Sequence, residues 1–253
     1  MQSSLHPFLK HDGVLAFAHR GGDRAAPENT MAAFAHAVGL GYRYLETDVH
    51  ASKDGVAFAF HDDDLKRMTG DDISISSLEA REVEAIELPG GHKIPKMTDL
   101  FEAFPDANFN IDAKAWPVVE PLAELIHKTA TYDRVCIGAF SDSRVAKVVE
   151  LTLGKVCYIA GPRQSAKFLA GALARLPLSF NAHCLQFPPT HETGLAMVTP
   201  AMVAYAHKRG LQVHVWTIND ESKMHELLDM KVDGLMSDDC ALLKSVLQSR
   251  NLW

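Results

Sequence analysis

Short apolar runs of strand length alternate with longer amphipathic segments along nearly the whole chain. This rhythm limits the available folds more than any single motif does. Strand candidates fall at 14–19, 43–49, 56–60, 108–114, 134–140, 156–160, 183–187, 211–218 and 234–237. Helix candidates lie between them at 28–39, 98–104, 117–130, 142–153, 164–174, 200–209, 220–230 and 239–249. Thr98 before "DLFEAF" and Asp220 before "ESKMHELLDM" have the character of helix starts, and Gly210 after "VAYAHKR" that of a helix stop. Strands alternating with helices predict βαβ units and a parallel sheet. Nearly eight such units in 253 residues fit an α/β fold of the (β/α)8 TIM barrel type better than an open doubly wound sheet. No GxGxxG opens a helix after the first strand, which weakens a dinucleotide-binding alternative.

The polar segment 61–97 breaks the rhythm, with one helix expected at 76–85. It leaves a strand end that carries His61, so it reads as a small insertion (about 62–97) after the second barrel strand. Such a segment lies over the barrel mouth, where barrel enzymes keep their active sites. The chain, 1–253, is expected to be a single domain.

A net charge of −7 argues against nucleic acid as a partner, because phosphate backbones need clustered Lys and Arg. It does not exclude a phosphate ester as substrate, since a bound cation reverses the local field. Cys136, Cys157, Cys184 and Cys240 show no CxxC or short Cys/His spacing, and three lie in apolar runs, where buried thiols are common. "MQSSLHPFLKHDG" has no basic patch followed by an apolar core, and no apolar stretch approaches ~18 residues. The simplest expectation is a cytoplasmic protein without stable membrane insertion. Oligomeric state is not readable.

Strand alternation puts Glu46 and Asp48 of "ETD" on one face. Two inward acids are costly to bury unless a cation sits between them, and a hard divalent ion meets that need. "NIDAK" ends another strand with Asp112 and Lys114 on one face. Asp112 suits a third carboxylate ligand and Lys114 a phosphate contact; the alternative is a buried pair that only organises the barrel. His19 and His61 each end an apolar run, so both are expected at the same rim. Imidazole titrates near ~6.5, which suits one histidine as acid and the other as base. Arg20 follows His19 in "HRGG". His50 is set aside as turned away from Asp48.

In order along the chain, "HRGG", "PENT", "ETD", "DG", "HDD", "LKRMTG", "IPKMTDL", "NIDAK", "VWTIN" and "GLMSDD" resemble the glycerophosphodiester phosphodiesterase family, related to the phosphatidylinositol-specific phospholipases C. The resemblance spans nearly the whole chain. It implies a barrel with an insertion after the second strand, a Mg2+ or Ca2+ cofactor, and a small-molecule glycerophosphodiester as substrate. The implied reaction is hydrolysis to glycerol 3-phosphate and an alcohol. Carried over by residue, it makes His19 and His61 the acid/base pair, Arg20 and Lys114 phosphate ligands, and Glu46, Asp48 and Asp112 metal ligands. Where this chain has Asp112 the family more often has glutamate, one methylene longer. Glu28 and Asn29 are expected to support these groups from behind, and Trp216 to wall the glycerol or alcohol part, with His214 as core. The rival expectations are a lysophospholipase D or phospholipase C-like enzyme on a lipid phosphodiester, and a non-catalytic glycerophosphodiester-binding barrel.

Overall fold

The strands are β1 (Leu15–Ala18), β2 (Tyr44–Ala51), β3 (Ala57–Ala59), β4 (Asn108–Ala113), β5 (Val135–Gly138), β6 (Cys157–Tyr158), β7 (Cys184–Phe187), β8 (Gln212–Val215) and β9 (Gly234–Ser237). They belong to a computed structural model that describes residues 5–191 and 193–253; the first four residues of the N-terminal segment considered above lie outside it. β1 pairs in parallel with β2 on one side and β9 on the other. The order β6-β5-β4-β2-β1-β9-β8-β7 is joined at its ends by a parallel bridge between Ile159 and Cys184. Among the described residues, eight parallel strands thus form a nearly closed barrel.

Each barrel strand leads to a helix that covers it outside. These are α1 (Met31–Gly39), α4 (Met97–Ala103), α5 (Val119–Thr129), α6 (Asp142–Leu151), α7 (Pro162–Ala174), α8 (Pro200–His207), α9 (Glu221–Asp229) and α10 (Cys240–Ser249), while α2 (Lys66–Thr69) and α3 (Ala80–Ala85) lie between β3 and α4. Side-chain oxygens of Thr30, Ser141, Thr199, Asp220 and Asp239 accept backbone N–H groups in the first turns of α1, α6, α8, α9 and α10. Both faces of most strands are buried, which is why apolar residues occur on both faces of the runs. Ala16, Leu45, Ile111, Ile137, Leu185, Val213 and Leu235 pack toward the helices. Their alternates Leu15, Phe17, Tyr44, Cys136, Cys157, Cys184 and Met236 form a separate cluster inside the barrel, together with Phe8 and Leu9 from the N-terminal turn.

Three local expectations need correction. The run 56–60 contains a strand, but β3 pairs antiparallel with β2 and is not a barrel strand. The link between them is too short for a crossover, and only a hairpin can form. Helix α4 begins at Met97 with Lys96 before it, so Thr98 lies inside the helix and does not cap it. The helix expected at 76–85 starts only at Ala80, behind a Glu79–Glu82 capping box. The insertion packs Leu65, Ile75, Val83 and Ile94 against Phe58 and Phe60 of the β3 run, an apolar group separate from the barrel core.

Arg134 ties the bottom of this architecture together. Its guanidinium donates to the carbonyls of Phe101, Phe104 and Ala107 at 3.1, 3.3 and 2.9 Å and lies against the rings of Phe101 and Phe109. Arg134→Ala strips three carbonyls of their donor and is expected to cost about 3 kcal/mol of unfolding free energy. Urea denaturation reads this directly, and an unshifted midpoint would contradict it.

Candidate active site

β1 ends at Ala18 and the chain turns sharply through His19–Gly21, with Arg20 at φ +54° and Gly21 and Gly22 at +81° and +85°. A Cβ on Gly21 would stand 2.9 Å from the Phe34 nitrogen, and one on Gly22 2.8 Å from Cys240 Sγ. Only glycine meets both the conformation and the close approach. The turn therefore lies flat on α1 and α10, and the Arg20 backbone N–H donates to Glu46 Oε2 at 2.9 Å.

The two histidines are held alike. His19 Nδ1 lies 2.6 Å from Asp238 Oδ1, just past β9, and His61 Nδ1 lies 2.6 Å from Asp62 Oδ1. A carboxylate partner places the proton on Nδ1 and leaves the lone pair on Nε2. For His19, burial lowers the imidazole pKa, but Glu46, 3.8 Å from Nε2, and Asp238 outweigh it and hold the ring above its ordinary value. Asp238 resists burial through hydrogen bonds from His19 and Asn219 and stays below the usual carboxylate value. Asp238→Asn removes the anion that raises His19, so whichever limb of the kcat/KM–pH profile His19 governs is expected to move to lower pH. An unmoved profile would separate Asp238 from His19 function.

Around Glu46, which faces His19, stand two further acids and two cations. Arg20 Nε is 3.1 Å from Asp48 Oδ2, and Lys114 Nζ is 3.2 Å from Asp48 Oδ1 and 3.5 Å from Asp112 Oδ2. Burial, reinforced by Asp48, pushes the Glu46 carboxyl up to about 7. Burial likewise raises Asp112 against the pull of Lys114. Asp112 Oδ1 is buried without a partner, and Asp48 Oδ2 has only its ion pair with Arg20 Nε. Under-partnered carboxylate oxygens beside an acid reluctant to ionise are an all-oxygen donor set that suits a hard divalent cation. The three carboxylates do not bring oxygens within 4.8 Å of one another, so cation binding entails re-aiming them.

Behind these groups runs a chain of ion pairs. Glu28 Oε1 accepts from Arg20 at 3.0 Å and from Arg67 Nη2 at 2.6 Å, and Arg67 Nε donates to Asp62 Oδ2 at 2.6 Å. Arg67, on α2 of the insertion, thus bolts Asp62, the carboxylate partner of His61, to the support of Arg20. Asn29, at φ +54°, accepts the Thr47 hydroxyl at 2.7 Å and donates its backbone N–H to the Arg20 carbonyl, and its Nδ2 is buried without a partner. Trp216, half-buried beyond β8, meets Phe140 edge-on with centroids 6.1 Å apart, and Lys114 Nζ lies 5.9 Å from the Phe140 centroid. His214 is fully buried below. His50 shares the parity of Glu46 and Asp48, contrary to the expectation that it turns away; it is buried, and its Nε2–H donates to the His61 carbonyl at 3.3 Å.

Sequence reasoning did not single out Asp238, Asp62, Arg67 or Phe140. The acids stand inside "GLMSDD" and "HDD", but 219 residues separate His19 from Asp238, and no spacing signal spans that gap.

The sequence matches the Glycerophosphoryl diester phosphodiesterase family over residues 19–242. It is 40% identical to "Probable glycerophosphodiester phosphodiesterase 2" of Mycobacterium tuberculosis, over 97% of this chain and 95% of that protein. It is 28% identical to lysophospholipase D GDPD1 of Homo sapiens, over 92% and 85%. A phosphodiesterase from Oleispira antarctica, solved with the product sn-glycerol-3-phosphate, shares the fold with a TM-score of 0.78 at 22% identity, covering 93% of this chain and 97% of that one.

Proposed function

We propose that this chain, which belongs to the glycerophosphoryl diester phosphodiesterase family, hydrolyses a small glycerophosphodiester to glycerol 3-phosphate and an alcohol with His19 and His61 as its proton-transfer pair. The family generally depends on a divalent metal. The observation that carries the acid/base assignment is the matched pair of imidazoles, each with Nδ1 on an aspartate, joined to one buried acid–base cluster, His19 directly through Glu46 and His61 through the Asp62–Arg67–Glu28–Arg20 chain. One Nε2 accepts a proton from the attacking oxygen as its bond to phosphorus forms. The other protonates the alcohol oxygen as its bond to phosphorus breaks. Arg20 and Lys114 turn from their carboxylate partners toward the non-bridging oxygens, where negative charge accumulates. Glu46, Asp48 and Asp112 would hold a divalent ion, Mg2+ or Ca2+, which supplies further charge stabilisation at the phosphate. Glu28 and Asn29 hold Arg20 from behind, and Trp216 walls the glycerol or alcohol part.

Four free, buried cysteines suit a reducing compartment, in keeping with a cytoplasmic placement of this single catalytic domain. No described helix is long and apolar enough to cross a membrane.

A second substrate class, the lysophospholipids, draws support from one feature. Phe140, in the loop after β5, is 68% exposed and meets Trp216 edge-on, and Trp116, after β4, is 55% exposed; a contiguous apolar surface at a barrel mouth would suit an acyl chain. Glycerol 3-phosphate release from glycerophosphocholine, with metal present and chelated, tests the main proposal. It fails if wild-type protein with metal releases none. Running lysophosphatidylcholine alongside, with Phe140→Ala, separates the classes. The small diester is expected to be the better substrate and little affected by Phe140→Ala. A preference for the lysolipid that this variant abolishes would reverse the assignment.

A further inference from the structure

The floor of the barrel holds a second group of chemistry-bearing side chains that the proposed reaction does not use. Cys136, Cys157 and Cys184 stand on three adjacent strands, β5, β6 and β7. Cys136 is paired in register with Cys157, and Cys184 is bridged to Ile159. All three are fully buried. Their Sγ atoms lie within 4.8 Å of one another, and among the described residues no other group of three His, Cys, Asp or Glu ligand atoms is so close. The centre of such a triangle is at most about 2.8 Å from each sulfur (4.8 Å divided by √3), against a metal–thiolate bond of about 2.3 Å. Small side-chain rotations close that difference.

The surroundings select the kind of ion. Phe8, Leu9, Leu15, Phe17, Tyr44 and Met236 pack around the thiols, and the Tyr44 hydroxyl is committed to the Phe8 carbonyl. No carboxylate is among these residues, and the Asn110 amide oxygen, in register beside Cys136, is already taken by Gln186, so a hard ion finds no free oxygen donor, whereas three thiolates suit a soft one. His214 is a second neighbouring polar group. Its Nε2 faces Gln212 Oε1 at 3.1 Å and its Nδ1 faces the Gln186 amide at 3.3 Å, which also donates to Asn110. The other two thiols, with His214 after them, hold the Cys184 thiol well below its ordinary value, while burial pushes Cys136 and Cys157 well above theirs. A thiolate enclosed in apolar packing is costly, and a bound cation removes that cost.

We propose that Cys136, Cys157 and Cys184 form a closed three-sulfur site for one soft d10 cation, zinc or cadmium, in the barrel floor, distinct from the carboxylates at the mouth. Binding expels the thiol protons to solvent and ties three strands of the barrel together, one of them the two-residue β6.

The test uses reduced, metal-free full-length protein, both native and refolded from denaturant, titrated with Cd2+ and followed by thiolate-to-metal charge-transfer absorption. Carboxylate-bound Cd2+ gives no such band, so the signal reports thiolate ligands, and the Cys240→Ala variant removes the one cysteine outside the proposed site. The expected result is saturation at a single equivalent, displacement by Zn2+, and a raised thermal midpoint. Cys136→Ser, Cys157→Ser and Cys184→Ser each weaken binding on the order of tenfold or more, while Cys240→Ala leaves it intact. If a serine variant fails to fold, its alanine counterpart replaces it, and the wild-type titration stands regardless. No band in either wild-type preparation overturns the proposal, and so does a band that persists when all three cysteines are replaced.

Discussion

His61→Asn is expected to lower kcat for glycerophosphocholine hydrolysis by about 10³-fold with little change in KM. The choice of asparagine isolates the chemistry. Its amide still donates to Asp62 as Nδ1 does at 2.6 Å, but it has nothing in the place of Nε2. His19→Asn is expected to behave the same way, its amide donating to Asp238. Arg67→Ala leaves both imidazoles in place and removes the guanidinium that orients Asp62 from 2.6 Å. A smaller loss, about tenfold in kcat, follows from looser positioning. Combining it with His61→Asn adds almost nothing, because the two act through one group. Coupled detection of glycerol 3-phosphate measures all four. Wild-type turnover in either histidine variant would remove that residue from the proton-transfer pair.

Chelation of divalent ions is expected to suppress turnover by about 10²–10³-fold, matching several kcal/mol of charge stabilisation at the phosphate, and added Mg2+ or Ca2+ restores it. The same site predicts a pH-dependent stability. An unfolded glutamate titrates near 4.5, whereas folded Glu46 keeps its proton up to about 7. In metal-free protein the folded state is therefore favoured by this group below 4.5, and that contribution is lost as pH rises through about 7. A divalent ion displaces the proton and reverses the trend. Thermal midpoints with and without Mg2+ at about pH 5.5 and about pH 7.5 should show the larger metal shift at the higher pH. An equal shift at both, or full Mg2+ stabilisation in Asp48→Asn, would argue that the ion binds elsewhere.

The parallel barrel was legible because its strands are buried on both faces and its helices on one, which leaves two different periodicities in the chain. β3 was half legible: the apolar run at 56–60 announced a strand, but the short link from β2 decided that it is a hairpin. The period of two correctly grouped Glu46 with Asp48, and Asp112 with Lys114. Applied consistently, it groups His50 with the acids as well.

The partners of these groups were not legible. Asp238 reaches His19 only because β9 lies beside β1, and Arg67 reaches Glu28 only because the insertion folds back over the mouth. The three cysteines, separated by 21 and 27 positions (136 to 157 to 184), carry no spacing signal, and converge because β5, β6 and β7 are neighbours in the barrel. By itself the sequence determined which elements form and which residues bear charge, protons and sulfur, since those follow from local periodicity and side-chain chemistry. Only the tertiary structure decided which of those groups meet, because contact across a closed barrel depends on strand order and register, quantities that no local stretch of chain encodes.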